Sequence, residues 1–466
     1  MFLIAAALAL WPQTSASPLK VWEKPLGMGL TFRMELDEQH PLIVNALKMS
    51  LLAPHIRAVP ALTGETVYSV SPTKGRGTVS QMVASHHAVA GINGDFFPFT
   101  GDPLGLMVAD GQLMSTPWPG RSVFAWGPSE SATGFAKFRG EIIPEGGQPI
   151  KIDAVNEECG DNQITLDTTA AGLALGKKPN LCAVLKVDHP VWAASTEIPA
   201  IFDYALPDAA STPIASDRAI IVAHGTAASL LSTLKPGQKL TIHLEVSGFN
   251  WERIENAIGG GPLLMKDGKV ALDAEQEGFK PAFSTNRHPR SGVGRTATGD
   301  LWFVTVDGRQ TMSLGCTLEE FAAIFRRLGC VDAMNLDGGG SSDMNVLGIT
   351  VNRPSDGTER PIANGVLFYL DQPKFGPDML KLKGPLSVNS PGKAIFEIRD
   401  KLSKTIANRE VIWGAKGAAW IDQGGTLHGF KPGRAIVSAW VRGQTLTATV
   451  IVTGRASVPL VLPKEG

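Results

Sequence analysis

Leu301-Trp302-Phe303-Val304-Thr305-Val306, then Thr317-Leu318-Glu319-Glu320-Phe321-Ala322-Ala323-Ile324-Phe325-Arg326-Arg327-Leu328-Gly329, then Ala333-Met334-Asn335-Leu336-Asp337-Gly338-Gly339-Gly340-Ser341-Ser342 follow one another, and their reading decides the fold. The first run is apolar, β-branched and aromatic, as a strand requires, and ends in the turn Asp307-Gly308-Arg309. The second opens with a capping box, Thr317 and Glu320. It repeats Leu318, Phe321, Ala322, Phe325 and Leu328 at helical spacing and stops at Gly329. The third is a strand running into a triple-glycine turn. A strand, a helix on its face and a second strand predict an α+β domain built on a mixed, twisted sheet.

Side chains alternate along a strand, so Asn335 and Asp337 share one face while Met334 and Leu336 point to the other, the core side. Gly338, Gly339 and Gly340 let the backbone approach a ligand closely and offer amides to anionic oxygens. A second apolar run, Ala88 to Ile92, ends in Asn93-Gly94-Asp95-Phe96-Phe97 and places Asn93 and Asp95 on one face in the same way.

The chain of 466 residues is 43% hydrophobic with a net charge of -1, which fits two or three globular domains. Balanced charge without a long basic run argues against a nucleic-acid partner. Residues 1–16 read as a signal peptide, with an apolar core Phe2 to Trp11, a break at Pro12 and cleavage after Ala16, so export to the periplasm, cell surface or medium is expected. No lysine or arginine precedes that apolar core. No other segment has the length of a membrane helix, so no transmembrane segment is expected in the mature chain. Residues 17–370 form the main domain, with 128–250 a strand-rich scaffold or insertion. A linker at 371–385 follows, then a compact β pattern over 386–455 and a tail at 456–466. Cys316 and Cys330 flank the helix and would stand roughly 20 Å apart, too far to bridge. Cys159 and Cys182 are the better disulfide candidates for an exported chain.

Five segments, Asn93-Gly94-Asp95-Phe96-Phe97, Ile258-Gly259-Gly260-Gly261-Pro262-Leu263-Leu264, Pro289-Arg290, Asp307-Gly308-Arg309 and Asn335-Leu336-Asp337-Gly338-Gly339-Gly340-Ser341-Ser342, are completed by Arg360-Pro361-Ile362-Ala363-Asn364-Gly365. In order and wording they resemble the phosphodiester glycosidase family over about residues 85 to 370. Asp343 departs from the smaller or neutral residue expected there. The C-terminal pattern, with Gly425-Thr426-Leu427, Pro432-Gly433 and the alternating run Ala435 to Trp440, resembles a group-2 bacterial immunoglobulin-like module. A generic small sandwich is the alternative reading.

The first resemblance implies hydrolysis at the anomeric carbon of a sugar 1-phosphodiester in envelope or extracellular polysaccharide. Asp337 and Asp95 are then the catalytic candidates, because an oxocarbenium-like transition state calls for carboxylates beside the anomeric carbon. A departing phosphate calls for positive charge, which Arg290 and Arg309 could supply, with backbone donors from Gly338, Gly339 and Gly259, Gly260 and Gly261. Asn335, Asn93, Gly340, Ser341, His288 and Asn364 complete the substrate-binding candidates. Several have plainer alternatives: Asp95 and Asp307 could close Asx turns, Arg309 could be a solvated turn residue, His288 could be structural and Asn364 could cap a turn.

No cofactor is required by these motifs, though a divalent ion, Mg²⁺ or Ca²⁺, held by Asp337, Asn335 and Asp95 stays open. Gly259-Gly260-Gly261 has neither the P-loop ending nor the dinucleotide spacing, and the double serine lacks a nucleophile elbow. Two other functions compete: a non-catalytic glycan-binding or matrix protein, and a glycosidase acting on links without phosphate.

Overall fold

The structure is a computed structural model, and it describes residues 19–454 apart from 99, 189, 210, 372, 374 and 377. The proposed leader, the tail and parts of the linker lie outside the described residues. The chain is nearly all-β, with 8% helix and 49% strand in barrel-like sheets, and this overturns the α+β expectation. The helix foreseen is present as Leu318–Arg327, capped in both directions between Thr317 and Glu320. Among the described residues the other α-helices are short, with Val79–Ser85 seven residues long and Pro281–Thr285 five.

The sheet under that helix has eight strands. Their order is Lys20–Gly27, Leu30–Asp37, Leu42–Ser50, Asp300–Val306, Arg290–Thr296, Cys330–Asn335, Leu263–Lys266 and Lys269–Val270. Every pairing within it is antiparallel, so it is not mixed. The two strands joined by the helix do run the same way, but Arg290–Thr296 lies between them and is antiparallel to both. Its sequence, Arg-Ser-Gly-Val-Gly-Arg-Thr, hides a strand behind two glycines. Those glycines make room for the helix: a Cβ on Gly292 would stand 2.8 Å from Phe321 and one on Gly294 2.8 Å from Phe325. The helix buries Leu318, Phe321, Ala322 and Phe325 against Val44, Ala46, Trp302 and Val304.

The opposite face of this sheet closes over a second core. Phe32, Leu47, Phe303 and Met334 meet Ile92, Met344, Val366 and Phe368 from a five-stranded sheet, and Phe124, Trp126 and Ile258 from another. The first of these runs Ile349–Thr350, Met344–Val346, Ala90–Asn93, Asn364–Leu370 and Ile56–Leu62. The other runs Gln112–Ser115, Met107–Ala109, Asn256–Gly259, Ser122–Trp126 and Ser131–Phe135. Three sheets therefore wrap one core, and the ends of their strands converge at one side.

Most of residues 128–250 form another eight-stranded sheet, whose Ile142, Leu166, Leu185, Ile221 and Leu244 are buried in a core shared with Val108, Val123 and Ala257 of the second five-stranded sheet. The C-terminal region forms a four-stranded and a three-stranded sheet around Trp413, Leu427 and Val437. It packs on the main body rather than hanging from it. Ile412 and Trp420 join the main core, the buried Lys24 donates to the Val411 carbonyl, and the Arg353 guanidinium lies 3.7 Å from the Phe430 ring centroid.

The expected Cys159–Cys182 bridge is not formed. All four cysteines are free buried thiols. Cys159 and Cys182 share one apolar cluster, where the Cys159 thiol points at the Gln163 carbonyl at 3.2 Å and the Cys182 thiol at Asn180 Oδ1 at 3.7 Å. No helix among the described residues is long and apolar enough to cross a membrane.

Candidate functional site

Strand ends from all three sheets bring the two acidic motifs together. The Asp337 amide donates to the Gly94 carbonyl at 3.0 Å, and the Gly94 amide donates to the Asn364 carbonyl at 3.0 Å. The Arg360-Pro361-Ile362-Ala363-Asn364-Gly365 motif is thereby laced to both. Asn93 Nδ2 donates to the Asp337 carbonyl at 2.7 Å, and its Oδ1 accepts from the Ser291 hydroxyl at 2.7 Å and the Asp343 amide at 3.2 Å. Asn364 Oδ1 accepts from the Asp95 amide at 2.9 Å. These two asparagines are wholly buried and fix the backbone that carries the carboxyls. Asn335 works similarly, donating Nδ2 to the carbonyls of Gly261 and Leu336 at 2.8 and 2.7 Å.

The carboxyls differ in setting. Asp337 is half-buried at the head of the glycine turn, and its Oδ1 accepts from the Gly338 amide at 2.8 Å. Burial pushes its pKa up to about 6, although that amide and the Arg360 charge pull it down. Asp95 is 3% exposed, with Oδ1 accepting from the Phe96 amide at 2.7 Å and Oδ2 from the Gly105 amide at 2.9 Å. Burial pushes it up to about 7; Arg121 opposes that rise and the negative charge of Asp337 adds to it. Glycine is required where other backbone crowds this carboxyl. A Cβ on Gly105 would sit 2.7 Å from Asp95 Oδ2, and one on Gly259 would sit closer still.

The glycine amides are largely engaged within the fold. Gly259 donates to Leu106, Gly261 to Asn335 and Gly339 to Pro289. Gly260 packs against the Asn335 carbonyl, which a Cβ there would approach to 2.6 Å. Gly340 and Ser341 are buried in the turn.

Positive charge gathers on the same turn. The Arg309 guanidinium lies 3.7 Å from where a Gly339 side chain would begin, and its Nη2 is 3.1 Å from His288 Nδ1. Arg360 presses on Gly340 and is gripped by Asp356 through Nε at 3.0 Å and Nη2 at 2.7 Å. Arg290 plays a different part: it is 1% exposed, donates to the carbonyls of Cys316, Phe283 and Asn286 and ties the segment before His288 to the helix start. Burial lowers its pKa to about 10. Asp307 is likewise buried and accepts the Arg353 amide on both oxygens, at 3.2 and 3.0 Å.

Three contributors escaped the sequence reading. Arg360 stood in a quoted motif without a role. Arg121 follows the turn Pro117-Trp118-Pro119-Gly120, stacks 3.9 Å from the Phe279 centroid and lies in the field of Asp95. Glu277 accepts from Ser122 N and Oγ at 2.8 and 2.7 Å and from the Leu263 amide at 2.7 Å, locking the Arg121 turn to the main sheet. Nothing local in the sequence marks Glu277. Burial and the neighbouring Glu359 push the Asp343 carboxyl well above the usual carboxylate range.

Among the described residues no three His, Cys, Asp or Glu side chains are placed to hold a metal. Both Asp95 oxygens accept backbone amides, and the Asn335 Nδ2 faces carbonyls.

Comparison with known proteins bears on this arrangement. The SPbeta prophage-derived uncharacterized protein YomE of Bacillus subtilis is 42% identical over 78 residues, 17% of this chain and 12% of that protein. The N-acetylglucosamine-1-phosphodiester alpha-N-acetylglucosaminidase of Bos taurus is 33% identical over 108 residues, 21% of this chain and 20% of that protein. The chain thus spans a fifth or less of either relative. A crystal structure of a hypothetical protein from Synechocystis shares the fold at a TM-score of 0.63 and 22% identity, covering 77% of this chain and 64% of that one. The phosphodiester glycosidase family model matches residues 202–369, which hold Gly259, Arg290, Arg309, Asp337, Arg360 and Asn364, while Asn93 and Asp95 join them from outside the matched segment. Through residues 202–369 the chain carries a phosphodiester glycosidase family domain.

Proposed function

We propose that the protein hydrolyses a sugar 1-phosphodiester at its anomeric carbon, releasing the sugar and a phosphomonoester, on an envelope or extracellular glycan. One observation carries this reading: a half-buried carboxyl, Asp337, on a turn gripped from outside by two guanidinium groups, Arg309 and Arg360. In a glycosidic transition state positive charge grows on the sugar ring and negative charge on the leaving group. Asp337, ionised above about pH 6, faces the first, as stabiliser or nucleophile. Arg309 and Arg360 face the second, and a phosphate leaves readily once its charge is neutralised. Asp95 keeps its proton to about pH 7 and serves as the acid partner. Asn93, Asn364 and Ser291 are positioning residues.

Free reducing sugar released from a panel of sugar 1-phosphodiesters and phosphate-free glycosides tests the proposal. Wild type should turn over phosphodiesters, and Asp337→Asn should lose about 10²–10⁴-fold in rate. Turnover confined to phosphate-free glycosides would replace the reading with that of an ordinary glycosidase. Binding without turnover of any substrate would make the protein a glycan receptor.

A further inference from the structure

We propose that the groove beside Asp95 is a binding site for a neutral glycan chain, receiving sugar residues that extend beyond the one cleaved. This rests on the phosphodiester glycosidase reading above and extends it to an oligosaccharide substrate. The groove encloses about 940 Å³ between the loop that carries Trp118 and the edge strand that ends at Phe135. Both rings are lifted into solvent, Trp118 47% and Phe135 48% exposed. Large aromatic faces left open in a concave surface mark a ligand site rather than a core. Sugar rings present an apolar C–H face bordered by hydroxyls, so they need flat apolar surfaces alternating with groups that both donate and accept. Phe138, Gln163, Gln276 and Glu157 supply that mixture between the two rings.

The lining of the groove adjoins the segments that hold Asp95. Leu104 and Thr116 line it; the residue after Leu104 is Gly105, whose amide holds Asp95 Oδ2 at 2.9 Å. Ser115, before Thr116, bonds the Gly105 carbonyl at 2.6 Å. Trp118 lies on the turn that delivers Arg121 toward Asp95, and Gln276 precedes Glu277, which anchors that turn. Glu157 is not a loose surface acid. It accepts the Thr116 amide at 3.0 Å and the Thr116 hydroxyl, so its remaining acceptor capacity has a fixed direction.

Charge selects the kind of chain. The lining holds Lys137 against Asp153 and Glu157, and Asp153 is already paired with Lys151 at 2.6 Å, so nothing there favours a run of phosphates, whereas Arg309 and Arg360 stand on the glycine turn at Asp337. The phosphate belongs with those arginines and the uncharged sugars belong in the groove. A polyanion or a nucleic acid would meet a single lysine, Lys137, beside two acidic side chains.

The test is calorimetry or tryptophan fluorescence with neutral di- to pentasaccharides of the cello-, malto- and chito- series, using the full chain. Wild type should bind at least one series saturably, more tightly with length. Trp118→Ala and Phe135→Ala should each weaken binding about tenfold, equivalent to losing one aromatic contact, with Trp118→Tyr recovering part of it. Both side chains are half exposed, so melting temperatures should not move. Asp337→Asn should bind as wild type does. Absence of saturable binding to every series, or binding indifferent to both aromatic changes, overturns the groove. If binding behaves as expected while no sugar 1-phosphodiester is turned over, the groove stands and the catalytic reading falls. Turnover of monosaccharide 1-phosphodiesters without any oligosaccharide binding has the reverse meaning.

Discussion

Asp337 and Asp95 are raised by the same cause, burial, but to different extents, about 6 and about 7. Between those values one carboxyl is ionised and the other protonated, the arrangement an acid paired with a charged stabiliser requires. Activity should therefore climb as pH rises through about 6, when Asp337 loses its proton, and decline above about 7, when Asp95 does. A kcat/KM profile on a sugar 1-phosphodiester measures both limbs. A profile flat through this window would remove the carboxyls from the chemistry. Both residues could be picked from the sequence because each ends an apolar strand and enters a glycine turn. Arg360 and Glu277 could not be weighted in that way, since their importance comes from what lies across the fold: the glycine turn for one, the Arg121 turn for the other.

At the level of elements, the site depends on close approach. The strand Asn256–Gly259 ends against Asp95, and Gly259 has no space for a methyl group. Gly259→Ala should displace the Asp95 carboxyl and lower kcat about tenfold or more, by the sensitivity of rates to small misplacements, with some loss of melting temperature. The helix Leu318–Arg327 offers a contrast. Phe321→Ala would empty a fully buried ring position between helix and sheet and should cost about 3–5 kcal/mol in denaturant unfolding, while leaving substrate affinity in the surviving folded fraction unchanged. The helix was legible because capping and 3.6-residue spacing are local signals. The strand beneath it was not: Gly292 and Gly294 dilute its β pattern, and their purpose appears only once Phe321 and Phe325 are seen against them. Missing that strand made the flanking pair look like neighbours in a mixed sheet.

On the scale of the whole molecule, buried acids set the response to pH. Asp95 and Asp307 are each 3% exposed, and burial pushes each up to about 7. A carboxyl that holds its proton more tightly when folded contributes most below its unfolded value and progressively less as pH rises to its folded one. Denaturant midpoints should accordingly be higher near about pH 5 than about pH 7, and Asp307→Asn should reduce that difference. The sequence pointed to the candidate site and the β-rich C-terminal unit, yet not to the three-sheet enclosure, because that depends on pairings between remote segments. One of those pairings has a further consequence. Ser50 pairs with Asp300 in the main sheet, so during synthesis the strand Leu42–Ser50 leaves the ribosome long before its partner exists. Residues 106–257, which hold the core around Ile142 and Leu185, can collapse meanwhile, and the edge waiting for Asp300–Val306 stays open to other chains. Completion of the candidate site is thus a late event in the life of each chain, and the interval before it is when a newly made molecule most needs a chaperone.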